Sequence, residues 1–282
     1  MKKSFERAQR RREEGHGYKH DLGQNFLYDD ALLEELVQST GVTKADSVLE
    51  IGPGSGMLTK HLCPHAGKVL AVEVDHDIIP FLKVNTAAFS NLEIVEGDIR
   101  KQNLRELCAP LGENFLVIAN IPYNITTPIF EALWESGLSI RQISVMIQKE
   151  VAVRLAAPAG DPEYGAITAA LAYYGSVERL FTVPAGCFLP APKVDSAVIR
   201  IRLHKEPPVS VKNEDMLFRV IRGGFAQRRK TLSNSLSSEF PGIDKTKISE
   251  AIISAGLEPS VRGERLSLEE FARLADAMCD IS

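Results

Sequence analysis

Five short apolar runs that alternate with helical stretches constrain the fold of this chain most strongly. The runs are rich in Val, Ile and Leu, as expected of strands that are buried on both faces of a sheet. Alternating strands and helices predict a parallel, doubly wound α/β sheet, because each helix returns the chain to the same end of the sheet. The predicted strands cover 46–51, 68–74, 91–97, 115–120 and 142–148, with helices around 57–63, 76–87, 101–109 and 127–137.

The chain after these strands changes character. Residues 176–183 and 195–203 are predicted to be two further strands that extend the sheet edge as an antiparallel pair. The segment 204–213 contains a Pro pair and is predicted to be a linker, beyond which only helical periodicity remains. We therefore predict three parts: a basic, flexible extension at 1–20, an α/β domain at 21–204 and a small all-helical domain at 205–282.

Composition excludes several classes of protein. With 44% hydrophobic and 25% charged residues among 282, the chain is neither globally disordered nor fibrous. Its apolar stretches fall short of the roughly 20 residues that a membrane span needs, and no apolar region follows the basic N-terminus as in a secretory signal. The four cysteines are far apart and form no CxxC pair, which favours reduced thiols in a cytoplasmic protein.

Basic residues are concentrated in two segments, although the net charge is −4. Residues 1–20 hold seven Lys or Arg against three Glu, and residues 215–235 hold five against one Asp. Because local charge decides phosphate binding, these segments are compatible with a polyanionic partner such as a nucleic acid. The alternative is that both segments are ordinary solvent-exposed charged surfaces.

A glycine loop follows the first strand, at 52–56, with the acidic Glu50 just before it. The spacing is GxGxG rather than the dinucleotide pattern GxGxxG, and the loop carries no phosphate-binding lysine. Glu73 ends the second strand, where a carboxylate can accept both ribose hydroxyls, and Asp98 follows the third, where it can accept from an adenine amine. This order of elements is typical of S-adenosylmethionine-dependent methyltransferases; a structural glycine turn is the alternative.

The fourth strand runs into Asn120, Ile121, Pro122 and Tyr123. An exocyclic base amine is a poor nucleophile because its lone pair is delocalised into the ring. Acceptors aimed at its hydrogens localise that lone pair, and the Asn120 carbonyl with a backbone carbonyl of the proline-stiffened turn can do this. Tyr123 offers a flat face for a flipped base. The motif therefore indicates amino-group methylation.

The chain resembles the ribosomal RNA adenine N6,N6-dimethyltransferases of the KsgA type, which share a Rossmann-like class I methyltransferase sheet and a small C-terminal helical domain. The matching segments span residues 20 to 276 and include GQNFL, LEIGPGSGMLT, NIPYNITTPI, FLPAPKVDSAVIRI and FAQRRKTLSNSL. NIPYNI is also typical of related large-subunit enzymes that confer antibiotic resistance. The FLPAPKVDSAVIRI and FAQRRKTLSNSL segments are more typical of small-subunit enzymes.

The resemblance implies roles for individual residues. It assigns S-adenosylmethionine binding to the Asn25 side chain, the Leu27 backbone, Gly52 under the methionine part, Glu73 at the ribose, Asp98 at the adenine amine, and Asn120. It assigns catalysis to Asn120, Pro122 and Tyr123. Phe188 resembles an aromatic residue on the other side of the flipped base, although from the residues alone a core anchor is equally open.

The basic segment of the C-terminal region is expected to form a rim that contacts RNA phosphates. Its members are Arg222, Arg228, Arg229 and Lys230. Gly223 and Gly224 are expected to bend or interrupt the helix that carries it. No metal site is expected: His61 and His65 have a metal-like spacing around Cys63, but Pro64 interrupts the helix that they would need.

The implied activity is dimethylation of two adjacent adenosines near the 3′ end of small-subunit (16S) ribosomal RNA, coupled to subunit biogenesis. The implied partner is small-subunit RNA or the assembling small subunit, and the enzyme is expected to be a cytoplasmic monomer. A large-subunit adenine methyltransferase is the enzymatic alternative. The non-enzymatic alternative is an assembly factor that keeps the fold but has no catalytic activity, and the intact 120–123 motif argues against it.

Overall fold

The computed structural model describes residues 26–121 and 126–281. Its strands are β1 (Phe26–Leu27), β2 (Ser47–Ile51), β3 (Lys68–Glu73), β4 (Leu92–Glu96), β5 (Phe115–Asn120), β6 (Ile140–Gln148), β7 (Gly175–Val183), β8 (Phe188–Leu189) and β9 (Ser196–Leu203). Its α-helices are α1 (Asp30–Thr40), α2 (Met57–Leu62), α3 (Ile79–Thr86), α4 (Leu104–Cys108), α5 (Thr126–Glu135), α6 (Lys149–Leu155), α7 (Ala166–Tyr174), α8 (Glu214–Ala226), α9 (Leu232–Glu239), α10 (Lys245–Ser254) and α11 (Leu268–Cys279).

The strands form a mixed sheet in the order β4-β3-β2-β5-β6-β9-β7. Strands β2 to β6 pair in parallel, whereas β9 runs antiparallel to β6, with Gln148 opposite Ser196. The central strands are fully buried, as at Val48 and Ile118, because helices cover both faces of a doubly wound sheet. The predicted fold class is confirmed, including the late pair of strands at the sheet edge.

Two residues of β1 pair with two residues of β8 in a separate small sheet. Phe26 lies opposite Leu189, and Leu27 lies opposite Phe188. The side chains of Leu27 and Phe188 are buried in one apolar cluster with Val198 of β9. This pairing joins the GQNFL and FLPAP segments, which the sequence analysis treated separately.

The described residues divide into two compact units. The first ends at Ala152 and resumes at Glu178–Leu203; the second comprises Val153–Val177 and the residues from His204 onward. The predicted division after residue 204 therefore differs from the structure in the segment Val153–Val177. The extension predicted at 1–20 lies outside the described residues. None of the helices in the described ranges combines the length and the apolar composition that a membrane span requires.

Aromatic packing explains why Val153–Val177 joins the C-terminal helices. The Tyr173 ring of α7 meets the Phe218 ring of α8 edge to face, with 5.4 Å between centroids. The Tyr164 hydroxyl, just before α7, donates to the Leu266 carbonyl at 3.1 Å. Since α7 is apolar around most of its circumference, it needs this second layer of helices to cover it.

Helix α8 continues through Gly223 and Gly224, so the expected break in this helix is wrong. Both glycines are buried where neighbouring elements approach the helix closely. A Cβ on Gly224 would lie 3.1 Å from the Phe271 ring, and one on Gly263 would lie 2.3 Å from the Gly224 carbonyl oxygen. The glycines therefore serve close packing, and the helix is not interrupted at them.

Candidate active site

The carboxyl ends of four parallel strands bring the predicted site residues to one edge of the sheet. Because β4, β3, β2 and β5 are neighbours in that order, the chain segments that leave them lie side by side. Asp98 follows β4, Glu73 ends β3, the glycine loop follows β2 and Asn120 ends β5. Ligands bind at this edge in open α/β sheets. The strand order therefore brings these motifs next to one another along one edge of the sheet.

The glycine loop adopts backbone conformations that favour glycine. Gly52, Gly54 and Gly56 have φ of +68°, +56° and +83°. A Cβ on Gly56 would lie 2.8 Å from Leu82 of α3, whereas a Cβ on Gly52 would meet nothing within 4 Å. Gly56 is therefore needed for packing, and Gly52 leaves open space for a ligand to approach the backbone.

Glu73 fixes this loop from beneath. Its side chain is buried, and one carboxylate oxygen accepts from the Gly54 amide at 2.8 Å while the other accepts from the Asp75 amide at 2.9 Å. A carboxylate has about four lone-pair positions, so acceptor capacity remains for ribose hydroxyls. Burial raises the pKa of Glu73, and the two amide bonds oppose that rise. Glu73 thus holds the glycine loop in place and also stands where the ribose is predicted to bind.

In the sequence, Glu50 is recognisable only as an acidic residue near the end of a strand. Its carboxylate is 1% exposed, and neither oxygen has a hydrogen-bond partner in the part of the chain that the structure describes. Burial raises the pKa of Glu50 to about 8; the Thr59 hydroxyl opposes the rise and Glu73 adds to it. The Thr59 hydroxyl lies near Glu50 but forms no hydrogen bond with it or with any other described residue. A buried acidic group without a partner is costly, and a cationic ligand would offset that cost.

Val74 is a second candidate site residue that the sequence alone did not indicate. It directly follows Glu73, and 49% of its surface is exposed, which is unusual for a valine at the end of a buried strand. A flat apolar ring beside the ribose position would cover it. The sequence shows an apolar residue between the two acidic residues of VEVD, but only the structure shows that this residue is exposed.

Asp98 is already paired within the protein. Its two carboxylate oxygens accept from the Arg100 guanidinium at 2.9 and 2.7 Å. The Arg100 guanidinium is the main cause that holds the pKa of Asp98 below its usual range. Asp98 is therefore an ionised acceptor at neutral pH.

The catalytic motif is described only in part. Asn120 is the last residue of β5, lies opposite Met146 of β6 and is half-buried. Pro122 and Tyr123 lie outside the described residues, as does Asn25. Of the two roles open for Phe188, burial beside Leu27 favours the core anchor over an exposed stacking surface.

The four basic residues of the helical unit differ in their contacts. Arg228 donates to the Pro162 carbonyl at 2.7 Å and to the Tyr164 carbonyl at 3.3 Å. Arg222 lies 3.6 Å from the Glu239 carboxylate. Arg229 and Lys230 are exposed at the turn between α8 and α9. Arg228 thus serves a loop of its own unit, and Arg229 and Lys230 are better placed for phosphates.

The His61–His65 spacing has a local explanation. His61 Nδ1 and His65 Nε2 each lie 3.0 Å from a different oxygen of Glu34 in α1. The hydrogen bonds from both rings lower the pKa of Glu34. Among the described residues, the group whose ligand atoms converge closely enough for a metal is Asp75, His76 and Asp77, which follow β3 directly in the chain; Asp75 is buried and the other two are exposed.

Comparisons with known proteins find relatives along nearly the whole chain. The family model described as ribosomal RNA adenine dimethylase matches residues 15–279. A protein named ribosomal RNA small subunit methyltransferase A from Lachnoclostridium phytofermentans is 46% identical over 263 residues, covering 92% of this chain and 91% of the relative. The protein of the same name from Lysinibacillus sphaericus is 44% identical over 269 residues, covering 94% and 92%.

Solved structures give the same family. A dimethyladenosine transferase from Plasmodium falciparum superposes with a TM-score of 0.76 at 25% identity, covering 88% of this chain and 95% of that one. The 23S rRNA methyltransferase ErmE superposes with a TM-score of 0.70 at 25% identity, covering 90% and 100%. The strand-end motifs, the matched family model and these relatives together show that the chain belongs to the ribosomal RNA adenine dimethylase family.

Proposed function

We propose that this protein dimethylates the N6 amines of two adjacent adenosines near the 3′ end of small-subunit ribosomal RNA, using S-adenosylmethionine, during subunit biogenesis. The observation that carries the proposal is 46% identity along 91% of a relative named for the small subunit. In this proposal the protein acts as a cytoplasmic monomer whose partner is the RNA or the assembling small subunit. Mass spectrometry of nucleosides from treated small-subunit RNA tests it.

The residues at the strand ends fit S-adenosylmethionine. The orphaned Glu50 carboxylate suits a cation, and S-adenosylmethionine carries both a sulfonium and an ammonium group. The space beside Gly52 admits a ligand to the backbone, Glu73 retains acceptors for ribose hydroxyls, and Val74 offers an apolar face for adenine. When bound, the cofactor supplies an electrophilic methyl group.

The protein's own contribution to the chemistry is orientation. Asn120 stands at the end of β5, between the strand that leads to the glycine loop and β6. Its side-chain carbonyl would accept from the adenine amine and localise the nitrogen lone pair towards the methyl group. A strong base is unnecessary, because the nitrogen becomes cationic on methylation and then loses its proton readily. Tyr123 remains the proposed stacking surface for the base.

Glu73→Ala is expected to weaken S-adenosylmethionine binding at least about tenfold, because charge-assisted hydrogen bonds each contribute on the order of 1.5–3 kcal/mol. Part of the loss will come from the glycine loop, since Gly54 loses its acceptor. Calorimetry measures the affinity. Glu96→Ala is the matched control, because Glu96 lies opposite Glu73 on β4 and is exposed. Equal affinity of Glu73→Ala and wild type would remove Glu73 from the site.

A large-subunit substrate is the second candidate, favoured by the likeness to ErmE along the whole of that chain. The FLPAPKVDSAVIRI and FAQRRKTLSNSL segments and the higher identity of the small-subunit relatives favour the first. Parallel assays on assembling small subunits and on protein-free large-subunit RNA distinguish the two candidates by which RNA gains methyl groups.

We propose that the helical unit binds RNA phosphates through Arg229 and Lys230. The double replacement of both by Glu is expected to flatten the plot of log affinity against log salt by about 0.7–0.9 per lost contact. Cofactor affinity should stay unchanged. Arg228→Gln serves as the comparison: it should lower the free energy of unfolding by about 1 kcal/mol through the lost carbonyl contacts and leave the salt slope near that of wild type. A salt slope unaltered by the double replacement would contradict the assignment.

A further inference from the structure

The contact between Arg100 and Asp98 uses most of the carboxylate's acceptor capacity. Oδ1 of Asp98 accepts from the Arg100 backbone amide at 3.0 Å and from its Nε at 2.9 Å. Oδ2 accepts from Nη2 at 2.7 Å. Since each carboxylate oxygen has two lone-pair positions, Oδ1 is fully used and Oδ2 retains one. The two-point contact of the Arg100 guanidinium, called the fork below, thus leaves one acceptor position on Asp98, and that position is on Oδ2.

This fork contributes little to the fold. Its partners are two residues apart around one short 3-10 turn, Ile99–Lys101, so it joins no distant elements. The Arg100 side chain is 41% exposed, and exposed ion pairs contribute little to stability. By contrast, Asp98 is 14% exposed, and it stands at the end of β4 beside the β3 end that holds Glu73. The effect of the fork is therefore on the orientation of the Asp98 carboxylate.

We propose that Arg100 is a positioning residue that holds the Asp98 carboxylate so that its one open acceptor meets the 6-amino group of the cofactor's adenine. The inference rests on the proposed function, because the role of Asp98 does. A carboxylate locked by a bidentate fork loses little rotamer freedom when it binds the amine, so the bond is gained at a lower entropic cost.

The same geometry gives specificity for the base. A 6-oxo base presents an acceptor where adenine presents a donor, so it would face the ionised Oδ2 with no hydrogen between them. Arg100 holds the ionised Asp98 carboxylate facing that position. Arg100 would therefore determine the preference for adenine over hypoxanthine without touching the base.

The test is calorimetry of the full chain with S-adenosylhomocysteine and with S-inosylhomocysteine, which differ at the 6-position of the base. Wild type should prefer the adenosyl compound by about tenfold or more. Arg100→Ala should lose most of that preference, by weaker binding of the adenosyl compound alone. Arg100→Lys should restore it only in part, because an ammonium cannot form the fork. Lys101→Ala is the matched control: it removes a neighbouring charge without touching the fork and should keep the wild-type ratio.

Three results would overturn the inference. Unchanged adenosyl binding in Arg100→Ala would show that Asp98 needs no positioning, and tighter binding would show that Arg100 obstructs the site. If Arg100→Ala weakened the binding of both compounds equally, the substitution would have disturbed the site in general rather than the recognition of the base. If wild type binds neither compound, the proposed function itself fails, which is a different result from a failure confined to the Arg100 variants.

Discussion

Asn120→Ala is expected to slow methyl transfer by about 10²–10³-fold, because it removes an acceptor that is aimed in advance at the developing charge on the adenine nitrogen. RNA binding should survive, since the proposed phosphate contacts lie in the helical unit. Single-turnover methylation of small-subunit RNA at saturating cofactor measures the chemical step. A variant with near-normal turnover would remove Asn120 from its assigned role.

The opposite end of the same strand supplies the control. Asn114 immediately precedes β5 and has a φ of +58°, which glycine adopts without strain. Its backbone amide donates to the Ser139 hydroxyl at 3.1 Å, and that bond does not need the Asn114 side chain. Asn114→Gly should therefore methylate at the wild-type rate. A comparable loss in both variants would point to a disturbed strand rather than to a lost acceptor.

Glu50→Gln is expected to change stability and cofactor binding in opposite directions. The folded protein holds a proton on Glu50 up to a pKa of about 8, whereas the unfolded chain releases it near 4.5. Between those values the folded state binds more protons than the unfolded state, so wild-type stability falls as pH rises. Glutamine has no proton to lose, so the variant should be more stable than wild type at pH 8, by an amount on the order of a few kcal/mol.

Cofactor binding supplies the second half of this prediction. If a cation of S-adenosylmethionine partners the Glu50 carboxylate, Glu50→Gln should weaken binding at least about tenfold. Denaturant unfolding from pH 5 to 8 and calorimetry at pH 8 measure the two effects. Glu113→Gln, at an exposed position before β5, should change neither. A variant with the wild-type pH profile would show that Glu50 is not an unpaired buried acid.

Much of the first unit could be predicted from the sequence because its signals are local. Runs such as FLVIAN are apolar throughout, and strands that must be buried on both faces leave that mark in any α/β chain. The glycines of 52–56 likewise mark a turn that other residues adopt poorly. Parallel pairing then places the carboxyl ends of these strands, and with them Glu73 and Asn120, at one edge of the sheet.

The features that escaped prediction depend on contacts between distant residues. The Leu27–Phe188 pairing joins strands of two residues each, too short for any periodicity to show. The position of α7 among the C-terminal helices depends on Tyr173 and Phe218 meeting across the linker. The basic run at 228–230 shows charge, but not that the Arg228 donors already serve the Pro162 and Tyr164 carbonyls. Similarly, only the three-dimensional structure shows that the buried Glu50 carboxylate has no hydrogen-bond partner among the described residues.

Mass spectrometry of nucleosides from small-subunit ribosomal RNA, after incubation with the protein and S-adenosylmethionine, shows whether the protein dimethylates adenosine there. The RNA should come from assembling subunits that lack the modification, with protein-free large-subunit RNA treated in parallel. We expect N6,N6-dimethyladenosine in the small-subunit RNA, two residues per molecule, and none in the large-subunit RNA. Dimethyladenosine confined to the large-subunit RNA, or absent from both while the protein binds the cofactor, would contradict it.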